Sequence, residues 1–127
     1  MRLLRDAYFF AVAANHLAVD LLNSQKEILL VFLAPSLGLR NADIGLVVLI
    51  YAACSSATQP LFGLLADRFE AHWLSGGSLL WMASWFSLAL SLPGRWSLLA
   101  LIVGGLGSGA FHSAGTERAT TRGDTLM

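Results

Sequence analysis

Polar residues recur along one side of the first apolar stretch of the chain. Residues 7–34 are mostly Ala, Val, Leu, Phe and Ile, but they also carry four polar residues at spacings of four, three and four: His16, Asp20, Asn23 and Glu27. On a helix these positions fall within about 60° of arc. An ionisable group near a bilayer centre costs about 2.5–3.5 kcal/mol on insertion scales. This polar stripe therefore predicts a membrane helix that borders a transport path or a proton relay.

The hydrophobic pattern along the whole chain predicts four membrane spans with short connections. The spans are 7–34, 44–66, 73–92 and 96–115. The Pro93-Gly94-Arg95 sequence marks the tightest of the three turns. Each span is about 20 residues or longer, enough to cross a hydrocarbon core of about 30 Å. We therefore predict an all-α membrane protein with four transmembrane helices in residues 1–119, and an unstructured tail over 120–127.

Composition supports a membrane protein and excludes several other classes. Hydrophobic residues make up 56% of the 127 residues and charged residues 13%, against about a quarter charged in an average soluble domain. The net charge is zero, so no basic surface for nucleic acid is expected. Cys54 is the only cysteine, which excludes an intrachain disulfide or a cysteine-based metal site. We expect no metal and no cofactor, because no cofactor motif occurs and the three histidines are predicted to lie at different membrane depths.

The distribution of arginine predicts the orientation in the membrane. Four crossings place both termini on one side, and that side carries most of the arginines: Arg2, Arg5, Arg68, Arg118 and Arg122, against Arg40 and Arg95 on the other. Positive residues favour the cytoplasmic side. Both termini are therefore predicted to be cytoplasmic, in a bacterial plasma membrane. Arg2 and Arg5 would also suit a secretory signal cleaved near Ala13, but three further spans follow, which a secreted protein would not carry.

This orientation gives a first testable prediction. Reporter fusions after Arg2 and after Arg122 should both be cytoplasmic, and fusions at Arg40 and Arg95 should both be external, because the arginine asymmetry requires it. Paired alkaline phosphatase and green fluorescent protein fusions would measure each position. An external C-terminus would mean that one of the four spans is wrong.

The connection between the second and third spans carries a motif. Gly63, Asp67 and Arg68 stand in the spacing Gly, three residues, Asp, Arg. This resembles the signature loop of the major facilitator superfamily, and it occupies the place that the resemblance implies, after the second span. The loop departs from the pattern in two ways: Glu70 replaces a second glycine, and Ala71, His72 and Trp73 replace the basic cluster.

Further sequence features resemble one branch of that superfamily. The His16–Asp20 pair, the Ser55-Ser56 and Gln59-Pro60 run, and residues 104–112 are similar to the fosmidomycin resistance proteins, over 15–119. That resemblance implies a twelve-helix, proton-coupled antiporter that exports small molecules and confers drug resistance at the inner membrane. The chain would then be an N-terminal fragment of such a transporter, with missing helices or self-association needed to close the path.

Each residue of the stripe also has a structural interpretation. Under the transport hypothesis Asp20 exchanges protons, while His16, Asn23, Glu27 and His112 line the path. His16 and Asn23 would equally serve as hydrogen-bonding groups between helices. His112 is open between packing and transport. For Lys26 we expect the side chain to reach toward the outer interface.

Small residues and a proline point to close helix contacts. Gly105 and Gly109 form a GxxxG pair in the fourth span, which favours tight packing. Gln59 and Pro60 lie about two turns before the signature loop, where the proline is expected to kink the second span.

Two functional classes follow. The preferred one is a secondary active transporter whose partners are lipid, protons and a small-molecule substrate. The alternative is a stand-alone four-span protein that oligomerises, as a small exporter or a non-transporting subunit, or an inactive truncated product. An enzyme is not expected, because no nucleophile and base stand at a useful spacing and no phosphate-binding loop occurs.

Overall fold

The computed structural model describes residues 7–68 and 71–126, with side-chain detail for 7, 10–68 and 73–113. The described residues form four helices: α1 Ala7–Leu37, α2 Asn41–Ala66, α3 Ala71–Ser91 and α4 Trp96–Leu126. No strand occurs in these ranges. The prediction of an all-α fold with four helices is confirmed.

Glycines in the left-handed region end two of the helices. Gly38 after α1 has φ 62°, and Gly94 before α4 has φ 58°. The N–H of Leu39 donates to the carbonyl oxygen of Ala34 at 3.0 Å, which satisfies one of the last free carbonyls of α1. Both turns are therefore short, and the turn at Gly94 joins two helices that pack closely together, α3 and α4.

The C-terminal residues differ from the sequence expectation. An unstructured tail was expected over 120–127, whereas α4 continues to Leu126. Extension of an existing helix adds one hydrogen bond for each residue that is fixed, so a polar sequence can continue a helix that an apolar sequence has started. The change from apolar to polar residues marks the end of the predicted fourth span, and α4 continues past it.

Helix α4 lies at the centre of the bundle. α2 and α3 pack along it, and α1 packs against α3 and α4 with a smaller contact and only lightly against α2. Four glycines allow this close approach: Gly104 and Gly107 face α3, while Gly105 and Gly109 face α2. The core around them contains Phe111 and Leu101 of α4, Met82 and Phe86 of α3, and Val19 and Leu30 of α1.

The outer surface of the bundle is apolar. Large hydrophobic side chains stand exposed on the outside, among them Ile28, Phe32 and Leu80 at 69–72%. Soluble proteins rarely expose so large an apolar surface. By length and composition, Asn41–Ala66 and Trp96–Ser113 are long and apolar enough to cross a membrane. Over their described residues α1 and α3 are less apolar than these two helices. The polar stripe lowers the mean hydropathy of α1, and the serines and tryptophans lower that of α3.

Candidate functional site

The first part of the site is a histidine–carboxylate pair on α1. His16 Nε2 lies 3.4 Å from Asp20 Oδ2, and the two side chains are 54% and 52% exposed. Their spacing of four residues places them one above the other on the same helix face. The pair is therefore formed within α1 and is open to whatever lies beside that face.

The same pair meets a second histidine from α4. The ring of His16 lies 5.5 Å from the ring of His112 in an edge-on arrangement, and 5.6 Å from the ring of Phe111. Phe111 is buried, and its ring contacts both imidazoles. We call His16, Asp20 and His112 the imidazole cluster. It places two groups that can each gain or lose a proton across the α1–α4 seam.

The position of His112 corrects an expectation from the sequence. His16 and His112 were predicted to lie at different membrane depths, and this was wrong, because their rings are in contact. The predicted fourth span ended at residue 115, whereas α4 runs on to Leu126 and carries His112 well inside the helix. Within the side chains that the structure describes, no three His, Cys, Asp or Glu residues form a group that could hold a metal ion. His72 falls outside those side chains.

Asn23 connects three helices. Its side-chain amide donates to Ser108 Oγ of α4 at 2.9 Å, and its side-chain oxygen accepts a hydrogen bond from Tyr51 Oη of α2 at 2.7 Å. We call Asn23, Tyr51 and Ser108 the amide hub. Asn23 thus belongs to the inner edge of the polar stripe, while His16, Asp20 and Glu27 lie on its open edge.

Lys26 turns toward the inside of the bundle. Its Nζ donates to the backbone oxygen of Asn23 at 3.0 Å, lies 3.3 Å from Glu27 Oε1 and stands 5.3 Å from the centre of the Tyr51 ring. Its side chain is 15% exposed, against 64% for Glu27. The expectation that Lys26 reaches toward the outer interface was wrong, since a carbonyl oxygen, a carboxylate and an aromatic face together bind the ammonium.

Sequence reasoning missed Tyr51 and gave Ser108 no role beyond packing. Each lies in a mostly apolar span, although Ser55 and Thr58 follow Tyr51 at helical spacing and His112 follows Ser108 four residues later. Such a face marks which side of a helix is polar, but it does not identify the partner on the neighbouring helix. The pairing with Asn23 depends on how the helices are rotated, which the local sequence does not encode.

The small residues of α4 and the proline of α2 define the second seam. A Cβ on Gly105 would lie 2.6 Å from the Tyr51 ring, and one on Gly109 would lie 2.5 Å from the backbone oxygen of Ser55. Ser113 Oγ lies 2.8 Å from the backbone oxygen of Gln59, beside Pro60. Helix α2 runs without interruption through Pro60, and the expected kink stays a prediction.

A comparison with known protein families decides what class of protein carries this site. A family model described as Major Facilitator Superfamily matches residues 8–117. The chain belongs to the Major Facilitator Superfamily. It is therefore a membrane protein of a transporter family, which is not a family of enzymes. No curated protein and no solved structure matches the chain.

In this superfamily member the signature-loop residues Asp67 and Arg68 are exposed, and their backbone N–H groups donate to the backbone oxygens of Gly63 and Leu65 at the end of α2. Among the side chains that the structure describes, neither is joined to another by an ion pair or hydrogen bond. No neighbouring heavy atom lies within 4 Å of a Cβ built on Gly63, so no described helix approaches it closely.

Proposed function

We propose that this superfamily member forms part of a proton-coupled exporter of small molecules, and that Asp20 carries the proton. The observation that supports this proposal is the imidazole cluster, in which Asp20 is paired with His16 beside His112, and His16 and Asp20 are each more than half exposed. Histidine is the side chain whose ordinary titration lies between pH 5 and 8. We propose that His16 takes the proton from Asp20 and returns it, across the 3.4 Å that separates Nε2 from Oδ2.

The second carboxylate of the stripe has a different partner. Glu27 Oε1 lies 3.3 Å from Lys26 Nζ. This carboxylate thus has a partner of opposite formal charge within the stripe, whereas Asp20 has a histidine. We therefore assign proton exchange to Asp20, and charge compensation to Glu27 and Lys26.

The open edge of the stripe also suggests what must lie beside it. His16, Asp20 and Glu27 are each about half exposed or more on the surface of a bundle whose other sides are apolar. Contact of these groups with lipid would cost several kcal/mol, so water or further protein covers them. We propose that further helices of the same transporter, facing this bundle, enclose a path for substrate at this edge.

A second copy of the chain would also cover this edge, which is the stand-alone alternative. The genomic DNA downstream of Met127 distinguishes a part of a larger transporter from a stand-alone protein. Eight further spans encoded there would identify the chain as the N-terminal part of a transporter. Native mass spectrometry of the purified chain is the complementary measurement. A stable dimer or larger oligomer, with unrelated DNA downstream, would favour the stand-alone protein.

An efflux screen in the native host tests the transport function itself. Cells with and without the gene would be compared for survival on a panel of toxic small molecules, and for efflux of those that separate the two strains. We expect the gene to protect against at least one compound and a protonophore to abolish its efflux. Efflux that persists after collapse of the proton gradient would contradict proton coupling, and no difference between the strains would contradict export.

A further inference from the structure

We infer that Asn23 is the positioning residue that holds the His16–Asp20 pair of α1 against His112 of α4. The consequence for proton exchange rests on the proposed function, whereas the geometry does not. Asn23 is neither a member of the imidazole cluster nor in contact with it through any described hydrogen bond. Its effect on the cluster would be exerted through the placement of α1.

Two contacts fix the register of the α1–α4 seam. His16 contacts His112, and Asn23 bonds Ser108, so residue numbers rise along α1 while they fall along α4. The two helices therefore run antiparallel. Along α4 the two contacts are four residues apart, a rise of about 6 Å, and along α1 they are seven residues apart, a rise of about 10 Å. The hydrogen bond thus lies one to two turns from the His16–His112 contact, close enough to fix the rotation of both helices there.

The side-chain amide of Asn23 is suited to joining three helices. A side-chain amide both accepts and donates, and Asn23 uses its oxygen toward Tyr51 and its nitrogen toward Ser108. A carboxylate has no donor when ionised, and an apolar side chain has neither group. One asparagine thus fixes α1 to two helices at once, in a way that its closest isosteres cannot.

The apolar residues of α1 pack against α3 and α4, whereas its contact with α2 is the smallest. Across the α1–α2 seam the bond from Tyr51 is the one described side-chain hydrogen bond, with the Lys26 ammonium 5.3 Å from the centre of the same ring. Across the α1–α4 seam the bond to Ser108 is the one described side-chain hydrogen bond. Both hydrogen bonds that join α1 to other helices through described side chains therefore come from Asn23.

Tyr51, the aromatic partner of Asn23, is held in place by α3 and α4. Tyr51 is buried, its ring packs against Phe86 at 6.4 Å, and a Cβ on Gly105 would lie inside its contact radius. The hydroxyl that reaches Asn23 is therefore held by a ring that α3 and α4 keep in place. The amide hub is anchored in the rigid part of the bundle, and α1 is the element that it positions.

Labelled histidines report on this positioning in the full chain. The chain has three histidines, so ¹⁵N spectra of the imidazoles in nanodiscs are simple to assign with single His→Asn variants. We expect Asn23→Leu and Tyr51→Phe to change the chemical shifts and pH profiles of His16 and His112. Far-ultraviolet circular dichroism of each variant would reveal a general loss of structure.

A matched control comes from the other seam. Ser113→Ala removes a hydroxyl that lies 2.8 Å from Gln59 O, between α4 and α2, without touching α1. We expect Ser113→Ala to leave the His16 and His112 resonances unchanged. If Asn23→Leu does not fold, Tyr51→Phe keeps the test decisive, since it removes one hydroxyl and preserves the ring. Wild-type imidazole spectra in folded Tyr51→Phe and Asn23→Leu would overturn the inference.

Chemical cross-linking provides an independent readout of the same seam. In a Cys54→Ala background, His16→Cys with His112→Cys should be joined by a short bifunctional thiol reagent, because the native rings that the two cysteines replace lie 5.5 Å apart between centroids. Adding Tyr51→Phe should lower the rate about threefold, which corresponds to ~0.6 kcal/mol for one interhelical hydrogen bond. An unchanged rate would contradict the inference. Neither readout involves transport, so failure of the proton-coupling proposal and failure of this one are distinguishable.

Discussion

Asp20→Asn is expected to abolish proton-driven export while leaving membrane insertion and folding intact. The amide has nearly the shape of the protonated acid and keeps a hydrogen-bonding group beside His16, which lies 3.4 Å away. It can neither release nor take up a proton in the physiological range. The measurement is efflux under an imposed pH gradient in the native host, with the substitution placed on the chromosome and the protein level checked by immunoblot. We expect efflux to fall to the level of the strain without the gene.

Glu27→Gln is the matched control for that substitution. It removes a carboxylate from the same stripe of the same helix, and one that is more exposed than Asp20. Because Glu27 already has Lys26 as its partner at 3.3 Å, we expect a partial loss of efflux whose dependence on the pH gradient is retained. Wild-type efflux in Asp20→Asn would exclude Asp20 as the proton carrier, and abolition in Glu27→Gln with retention in Asp20→Asn would transfer the role to Glu27.

Gly109→Ala is expected to destabilise the bundle, although alanine favours a helix. A Cβ at this position would lie 2.5 Å from the backbone oxygen of Ser55 and 2.8 Å from Thr58 Oγ1. Close C–H···O contacts between helices are about 3.3 Å long, and a backbone oxygen cannot move aside without moving α2. Overpacking of this kind costs about 1–3 kcal/mol, which outweighs the ~1 kcal/mol by which alanine exceeds glycine in a helix interior. Thermal unfolding of the purified protein in detergent, followed by near-ultraviolet circular dichroism, would show a lower Tm.

Gly77→Ala is expected to change the thermal stability in the opposite direction. Gly77 is also in a helix interior, in α3, but no neighbouring heavy atom lies within 4 Å of a Cβ built there. The propensity gain should then be the main effect, so we expect an unchanged or slightly higher Tm. A Gly109→Ala protein as stable as Gly77→Ala would mean that α2 and α4 are not in the close contact described for them.

The helices and their class could be predicted from the sequence because they depend on local patterns. In lipid every backbone polar group must be satisfied within its own segment, so long apolar runs have to be helices. The turns at Gly38 and Gly94 and the stripe from His16 to Glu27 follow from residue type and spacing alone. The signature-loop residues likewise indicated the superfamily that the family model then matched. The extent of α4 could not be predicted in the same way, since its last residues are polar and helical at once.

The sequence by itself thus determined the number of helices, the face of α1 that is polar and the transporter family. Only the tertiary structure decided how that face is divided, with Asn23 bonded inward to Tyr51 and Ser108 while Asp20 stays on the open edge. It also decided that Lys26 turns inward and that His112 meets His16. These pairings depend on the rotation and separation of neighbouring helices. Those are set by contacts between distant segments, above all the glycines of α4, and each residue's own neighbours in sequence carry no record of them.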